Sequence, residues 1–377
     1  MTGNEEKKVP MKDWKKELKA CIRDAEELGR YLPLTDEEKT TLSHIIDKYP
    51  MAITPYYLSL IDKENPDDPI RKMCIPTLDE SLFGGVEDTS GEGENTVLPG
   101  LQHKYKQTAL ILSTNQCAMY CRHCFRKRMV GTDTDEIIRN FPDIVEYIAS
   151  HEEITNVLIS GGDAFLNSNL VIWRYLDELT KIDHLDFIRF GTRTPVVIPQ
   201  RISGDEELLG ILSEFAAKKQ IYVVTQFNHA SEVTDQAVGA IRALLACGIV
   251  VKNQTVLLRG VNDSSEVLGA LLKKLTACGI VPYYVFQCRP AAGVKNLFQV
   301  PISEGYEIVR GAKALQNGQG KCIKYCMSHP QGKIEMLGPM DGSMLFQFHQ
   351  AKDPAELGRV FSVPLRTGQG WLDENLT

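Results

Sequence analysis

From about residue 106 the chain alternates short apolar runs with longer amphipathic stretches. TALILS (108–113), NVLIS (156–160), FIRFG (187–191), IYVVTQF (221–227), VVKNQTVLL (250–258) and PYYVFQ (282–287) are rich in β-branched and aromatic residues. Such runs suit strands of a sheet covered on both faces. Between them lie TDEIIRNFPDIVEYIAS, LVIWRYLDELTKI, DEELLGILSEFAAKK, EVTDQAVGAIRALLA and SSEVLGALLKKLTA, whose apolar positions recur at helical spacing. Strand–helix alternation of this kind predicts an α/β fold with a parallel sheet. Six strands are too few for an eight-fold barrel, leaving a doubly wound sheet or a partial (β/α)6 TIM-like barrel. In either, sites gather at the C-terminal ends of the strands.

The flanking regions read differently. DWKKELKACIRDAEELGRYL (13–32) has helical rhythm, and Thr35 with Glu38 forms a capping box for the next helix. FGGVEDTSGEGENTVLPG (83–100) is rich in glycine and acids and reads as a solvated connection. Past residue 300 the alternation weakens into a tail expected to fold against the barrel mouth. The resulting division is a helical extension and linker over 1–100, a barrel over 101–300 and a C-terminal segment over 301–377.

Composition narrows the setting. The net charge of −7 disfavours nucleic acid and anionic membrane as partners, and no apolar run is long enough to span a bilayer. The first twenty residues are charged and contain no apolar leader, so a cytoplasmic protein is expected. Seven of the ten cysteines are scattered, as reduced thiols would be.

The other three fall within eight residues, CAMYCRHC, as Cys117, Cys121 and Cys124. They follow the first strand of the alternation. Gly161, Gly162 and Asp163 follow the second, Arg193 the third, Asn228 and His229 the fourth, and Cys288 and Arg289 the sixth, so these residues are expected to converge. A structural zinc site needs a fourth ligand, and a redox C-x-x-C leaves Cys117 over. Three thiolates on a [4Fe–4S] cluster leave one iron open for chemistry.

C-x3-C-x2-C in this position resembles the radical S-adenosylmethionine (SAM) enzymes. PMAITPYYLSLID (50–62), TNQCAMYCRHCFRKR (114–128), LISGGDAFL (158–166), GTRTPVVIPQRI (191–202), FNHASEVT (227–234), NQTVLLRGVND (253–263), PYYVFQC (282–288) and GKIEML (332–337) narrow the resemblance to the lysine 2,3-aminomutase family. It implies a [4Fe–4S] cluster on the three cysteines, SAM, and pyridoxal 5′-phosphate (PLP) carried by a lysine. A deoxyadenosyl radical would abstract hydrogen, and the amino group of a small amino acid would move from the α to the β carbon. The resemblance assigns SAM contacts to His123, Gly161, Gly162, Asp163, His229 and Gln254. It assigns PLP attachment to Lys333, PLP contacts to Tyr105 and Lys104, and the substrate carboxylate to Arg126. A flavodoxin or ferredoxin would supply the electron.

Three departures modify that picture. Members specific for lysine hold its distal ammonium with two aspartates, and this chain has Arg289 and Cys326 at those positions. A cation there repels an ammonium and suits a distal carboxylate, so an acidic substrate is expected rather than lysine. Thr108 stands where the family directs an arginine at the PLP phosphate, with Lys104 and Lys106 nearby as substitutes. The tail has no cysteine for the zinc segment of other members, which leaves a homo-oligomer an open expectation. The alternative reading is a PLP-independent radical SAM enzyme that abstracts hydrogen from another small molecule or a peptide.

Overall fold

Each of the six apolar runs folds as a strand, and the sheet extends beyond them on both sides. In the computed structural model, which describes residues 13–377, the sheet has twelve strands in chain order. They are β1 (Thr96–Leu98), β2 (Leu101–Tyr105), β3 (Thr108–Thr114), β4 (Asn156–Gly161), β5 (Phe187–Gly191), β6 (Gln220–Thr225), β7 (Val250–Leu257), β8 (Val281–Gln287), β9 (Lys324–His329), β10 (Gly332–Met340), β11 (Ser343–Ala351) and β12 (Val360–Val363). Strands β3 to β9 run parallel, and antiparallel pairs flank them.

Parallel neighbours need a crossover, and the amphipathic stretches supply it. Helices Phe141–Ser150, Asn169–Thr180, Glu206–Ala216, Asp235–Ala246, Ser265–Ala277 and Ile302–Ala314 link β3 through β9. Ser265–Ala277 buries Leu268, Leu271, Leu272 and Leu275 on one stripe, and the Ser264 hydroxyl caps it by accepting from Val267 N. The stretch from Thr134 becomes helical only at Phe141, where Pro142 sits in the first turn. Just before it, Ile138 N donates to Leu112 O instead.

Register decides which side chains share a face, because in-register neighbours on a sheet point the same way. Leu158, Arg189 and Tyr222 are in register, as are Gly191, Val224 and Lys252 through β5, β6 and β7. Gln254 pairs Tyr284 and Tyr284 pairs Lys324, while Val256, Phe286 and Cys326 form the next row. Lys333 lies opposite Ser328, and Glu335 opposite Cys326. One face of the sheet therefore carries Arg189, Lys252, Gln254, Cys326 and Lys333.

Three expectations change. Residues 13–32 form two short helices, Trp14–Lys19 and Ala25–Leu28, because Ile22 exchanges backbone hydrogen bonds with Ile53 between them. Residues 1–12, on which the expectation of no apolar leader partly rests, lie outside the described residues. The 83–100 connection is not solvated throughout: Thr89, Ser90, Glu92 and Asn95 are buried. The tail is not a separate cap either, since β9 continues the parallel sheet beside β8. Among the described residues no helix is long and apolar enough to cross a membrane.

Candidate active site

The cysteine loop leaves β3 and is pinned to the N-terminal region by Tyr120 N to Ala52 O (3.0 Å) and Arg122 N to Met73 O (2.9 Å). Cys117, Cys121 and Cys124 are free thiols on it. Burial pushes the Cys117 thiol well up and the Cys124 thiol to about 11. The turn after β4 closes against the same loop. Gly161 adopts φ +118°, and a Cβ there would come within 2.3 Å of Thr114 O. A Cβ on Gly162 would meet Gln116 O at 2.3 Å. The glycines are thus required by backbone packing against the cysteine loop.

Asp163 links three strand ends. Its Oδ1 accepts from the Thr192 hydroxyl (2.6 Å) and its Oδ2 from Arg193 N (2.7 Å). Arg193 in turn donates through Nη1 to Cys121 Sγ (2.8 Å) and pairs through Nη2 with Glu232 (2.5 Å). Tyr57 donates to the same carboxylate at 2.6 Å. His123 is buried, its Nε2 lies 3.2 Å from Asn228 Nδ2, and its Nδ1 has no partner among the described residues. Burial, then Arg193 and Lys127, push its pKa well down, so the ring is neutral. His229 lies further out and caps the turn at Ala230–Glu232, its Nδ1 2.6 Å from the Ser231 hydroxyl. Of the strand-end residues expected to converge, Cys121, Asp163 and Arg193 are joined directly, and Asn228 meets the loop through His123.

A second set of groups lies along and beside the sheet face that carries Lys333. The Lys333 ammonium is 4.3 Å from the Tyr284 ring centre and 5.5 Å from that of Phe286. It makes no hydrogen bond or ion pair with described residues. Burial pulls its pKa down to about 8; Cys326 opposes this, while Arg189 and Arg289 add to it. Arg289 stacks on Phe125 at 3.9 Å, donates to the Ser90 hydroxyl and has no carboxylate partner among the described residues. Burial lowers its pKa to about 10. Lys104 donates to His329 O (2.7 Å) and Ser90 O (3.3 Å), and burial with Arg289 brings its pKa to about 7. Burial pushes the Tyr105 hydroxyl well up and drives the Cys326 thiol to about 12.

Arg126 is not free. Its Nε donates to Glu92 Oε1 (2.8 Å) and its Nη2 lies 2.7 Å from the same oxygen. Arg128 holds the other oxygen at 2.8 Å. Burial works against ionisation of Glu92, but these two guanidiniums outweigh it and hold the carboxyl near about 2. Only Nη1 of Arg126 remains loosely engaged, with Gly161 O at 3.3 Å and the Ser160 hydroxyl at 3.4 Å.

Residues 111–271 match the family model of the radical SAM superfamily. An L-lysine 2,3-aminomutase from Clostridium subterminale is 39% identical over 309 residues, 81% of this chain and 73% of that one. The same-named protein of Acetoanaerobium sticklandii is 40% identical over the same shares of 81% and 73%. The chain belongs to the lysine 2,3-aminomutase family of radical SAM proteins. A glutamate 2,3-aminomutase from Clostridioides difficile is also similar, 36% identical over 327 residues, 85% of this chain and 75% of that one.

Membership of the radical SAM superfamily implies a [4Fe–4S] cluster and SAM, and the residues fit both. The cysteine loop brings three free thiols to the strand ends, beside a guanidinium that donates to one of them. The unpartnered Nδ1 of buried His123 offers a polar contact beside that loop. No group of three or more His, Cys, Asp or Glu among the described residues is gathered around a single ion. A cubane does not require that, because its thiolates bind separate irons. For this lysine 2,3-aminomutase relative, sequence reasoning missed Glu92, which carried no signal beyond an acid in a glycine-rich segment. It also missed Arg193 as a partner of Cys121, although its place at a strand end pointed there.

Proposed function

We propose that the protein is a PLP-dependent 2,3-aminomutase acting on an acidic amino acid. The observation that carries this is that neither Lys333 nor Arg289 has a carboxylate partner among the described residues. A lysine with its pKa near about 8 keeps an appreciable neutral fraction at neutral pH, as covalent attachment to an aldehyde requires. Tyr284 and Phe286 enclose it in apolar surface that suits a pyridine ring. PLP would supply, when bound, a π-system joined to the substrate nitrogen that can take up and return the unpaired electron as that nitrogen moves between adjacent carbons.

The chain's own residues do the rest. Arg126 meets the α-carboxylate through Nη1, the nitrogen that Glu92 leaves least engaged, while Glu92 fixes the guanidinium plane. Arg289 takes the distal carboxylate, and its stacking on Phe125 keeps the fork oriented. Cys326 beside Lys333 removes the anion that an ammonium would need. His123, Gly161, Gly162, Asp163, His229 and Gln254 form the SAM side of the site; for the two glycines and Asp163 the role is to shape the loop. Tyr105 and Lys104 border the PLP side.

The similarity to a glutamate 2,3-aminomutase supports the substrate class. The reading includes a cytoplasmic setting, a flavodoxin or ferredoxin donor and a homo-oligomer. It treats β3 to β8 as a partial (β/α)6 barrel. The regions 1–100, 101–300 and 301–377 are functional parts of one sheet-centred body.

The test is anaerobic reconstitution with iron, sulfide, SAM, PLP and a reductant, then incubation with L-glutamate, L-aspartate or L-lysine. A β-amino acid from an acidic substrate is expected. Turnover of L-lysine with none of either acid would refute the substrate assignment, and SAM-dependent turnover that ignores PLP would favour the PLP-independent alternative.

A further inference from the structure

Thr108 cannot present a charge to a phosphate, and its hydroxyl is directed at Asn156 Oδ1 (3.3 Å). The same amide oxygen accepts from Arg189 Nη2 at 2.5 Å. Asn156 Nδ2 donates to Gln107 O (2.8 Å), so the amide is fixed and holds Arg189 in place. Arg189 Nε is buried with no partner, and the guanidinium has no carboxylate among the described residues. Lys252 lies on the same face, its ammonium 4.9 Å from the Tyr222 ring centre and 4.5 Å from that of Tyr283. It too has no hydrogen bond or carboxylate partner among the described residues. Burial lowers the pKa of both, and Arg189 lowers that of Lys252 further, so the two cations repel each other in the free protein.

Two neighbouring cations set against aromatic rings, one half-buried and the other with a buried, unpartnered Nε, and neither with a carboxylate among the described residues, lack an anion. A phosphate carries close to two charges and several acceptor oxygens, enough to serve Arg189 Nε and the Lys252 ammonium together.

We propose that Arg189 and Lys252 form a phosphate-binding pair that holds the phosphate of PLP in place of the arginine absent at position 108. This rests on the PLP reading above and deepens it. The Tyr283 ring beside Lys252 lies 4.0 Å from the Tyr284 ring beside Lys333, which puts the pair within reach of a cofactor attached there. Lys104 is a weaker candidate, since two carbonyls already hold its ammonium, and Lys106 is exposed.

The test is equilibrium binding of PLP, pyridoxal and inorganic phosphate to the wild-type protein and to Arg189→Met, Lys252→Met and Lys252→Arg. Each methionine variant is expected to lose about tenfold or more in PLP affinity with pyridoxal binding unchanged. Lys252→Arg should keep the preference for PLP. Inorganic phosphate should compete with PLP in the wild type and lose that ability in the methionine variants. Unchanged PLP affinity in both, or an equal fall for pyridoxal, overturns the proposal; a melting temperature for each variant separates misfolding from lost binding. If the wild type binds no PLP, the PLP reading fails. The pair then stands or falls on whether inorganic phosphate raises the melting temperature of the wild type but not of the methionine variants.

Discussion

Two sets of cations sit in this molecule, one buried and one partly buried, and they are treated in opposite ways. Around the cysteine loop every one has a carboxylate. Arg122 and Lys127 share Glu80, Arg126 and Arg128 share Glu92, and Arg193 pairs with Glu232. Along the sheet face, Lys333, Arg289, Arg189 and Lys252 have none among the described residues. Uncompensated burial of a charge costs several kcal/mol, so the first set reads as scaffold and the second as a cradle awaiting an anionic ligand. The paired set fixes where the loop lies. The unpaired set lowers stability in the free protein and is positioned to gain when negative charge arrives.

The comparison can be broken most sharply at the loop itself. Cys117→Ala and Cys124→Ala should each abolish the brown cluster chromophore and reductive SAM cleavage, a loss on the order of 1,000-fold or more. PLP affinity at the sheet face should stay unchanged, and a parallel loss of PLP would show that the two sets are not separable. Next in size is the scaffold. Glu80→Ala strands the Arg122 guanidinium, which is 2% exposed, and should cost about 3–5 kcal/mol in denaturant unfolding. Glu92→Ala should destabilise in the same direction and weaken substrate binding, because Arg126 loses its fixed plane.

A smaller effect concerns pH. The folded pKa of Lys333, about 8, lies below the ordinary lysine value, so the neutral amine becomes the main form only as pH rises through about 8. The rate of PLP attachment to the apo-protein should therefore fall roughly tenfold per pH unit below that midpoint. A midpoint near the ordinary lysine value would mean that the pocket does not desolvate the ammonium. The smallest effect has the most telling sign. Lys252→Met should leave apo-protein stability within about 0.5 kcal/mol or raise it, the reverse of any paired cation.

The sequence made part of each region legible and hid the rest. The six strands were readable because TALILS, NVLIS and their successors are covered on both faces and carry little else. The cysteines were readable because three thiols in eight residues have few uses. Glu92 was not, since an acid among glycines looks the same whether solvated or clamped between two guanidiniums. Arg189 and Lys252 were hidden for the opposite reason. Each is a single charge inside an apolar strand, and only register shows that both share a face with Lys333. The break at Ile22 was invisible because its cause, pairing with Ile53, lies outside the local helical rhythm.

The central claim is that Lys333, set over two aromatic rings with no hydrogen-bond or ion-pair partner among the described residues, is the attachment point for PLP. Borohydride reduction of the PLP-treated protein, followed by peptide mass mapping, tests it most directly. One reduced pyridoxyl group on Lys333, absent from Lys333→Ala, is the predicted result. Label spread over surface lysines, or retained at full level in Lys333→Ala, would contradict it.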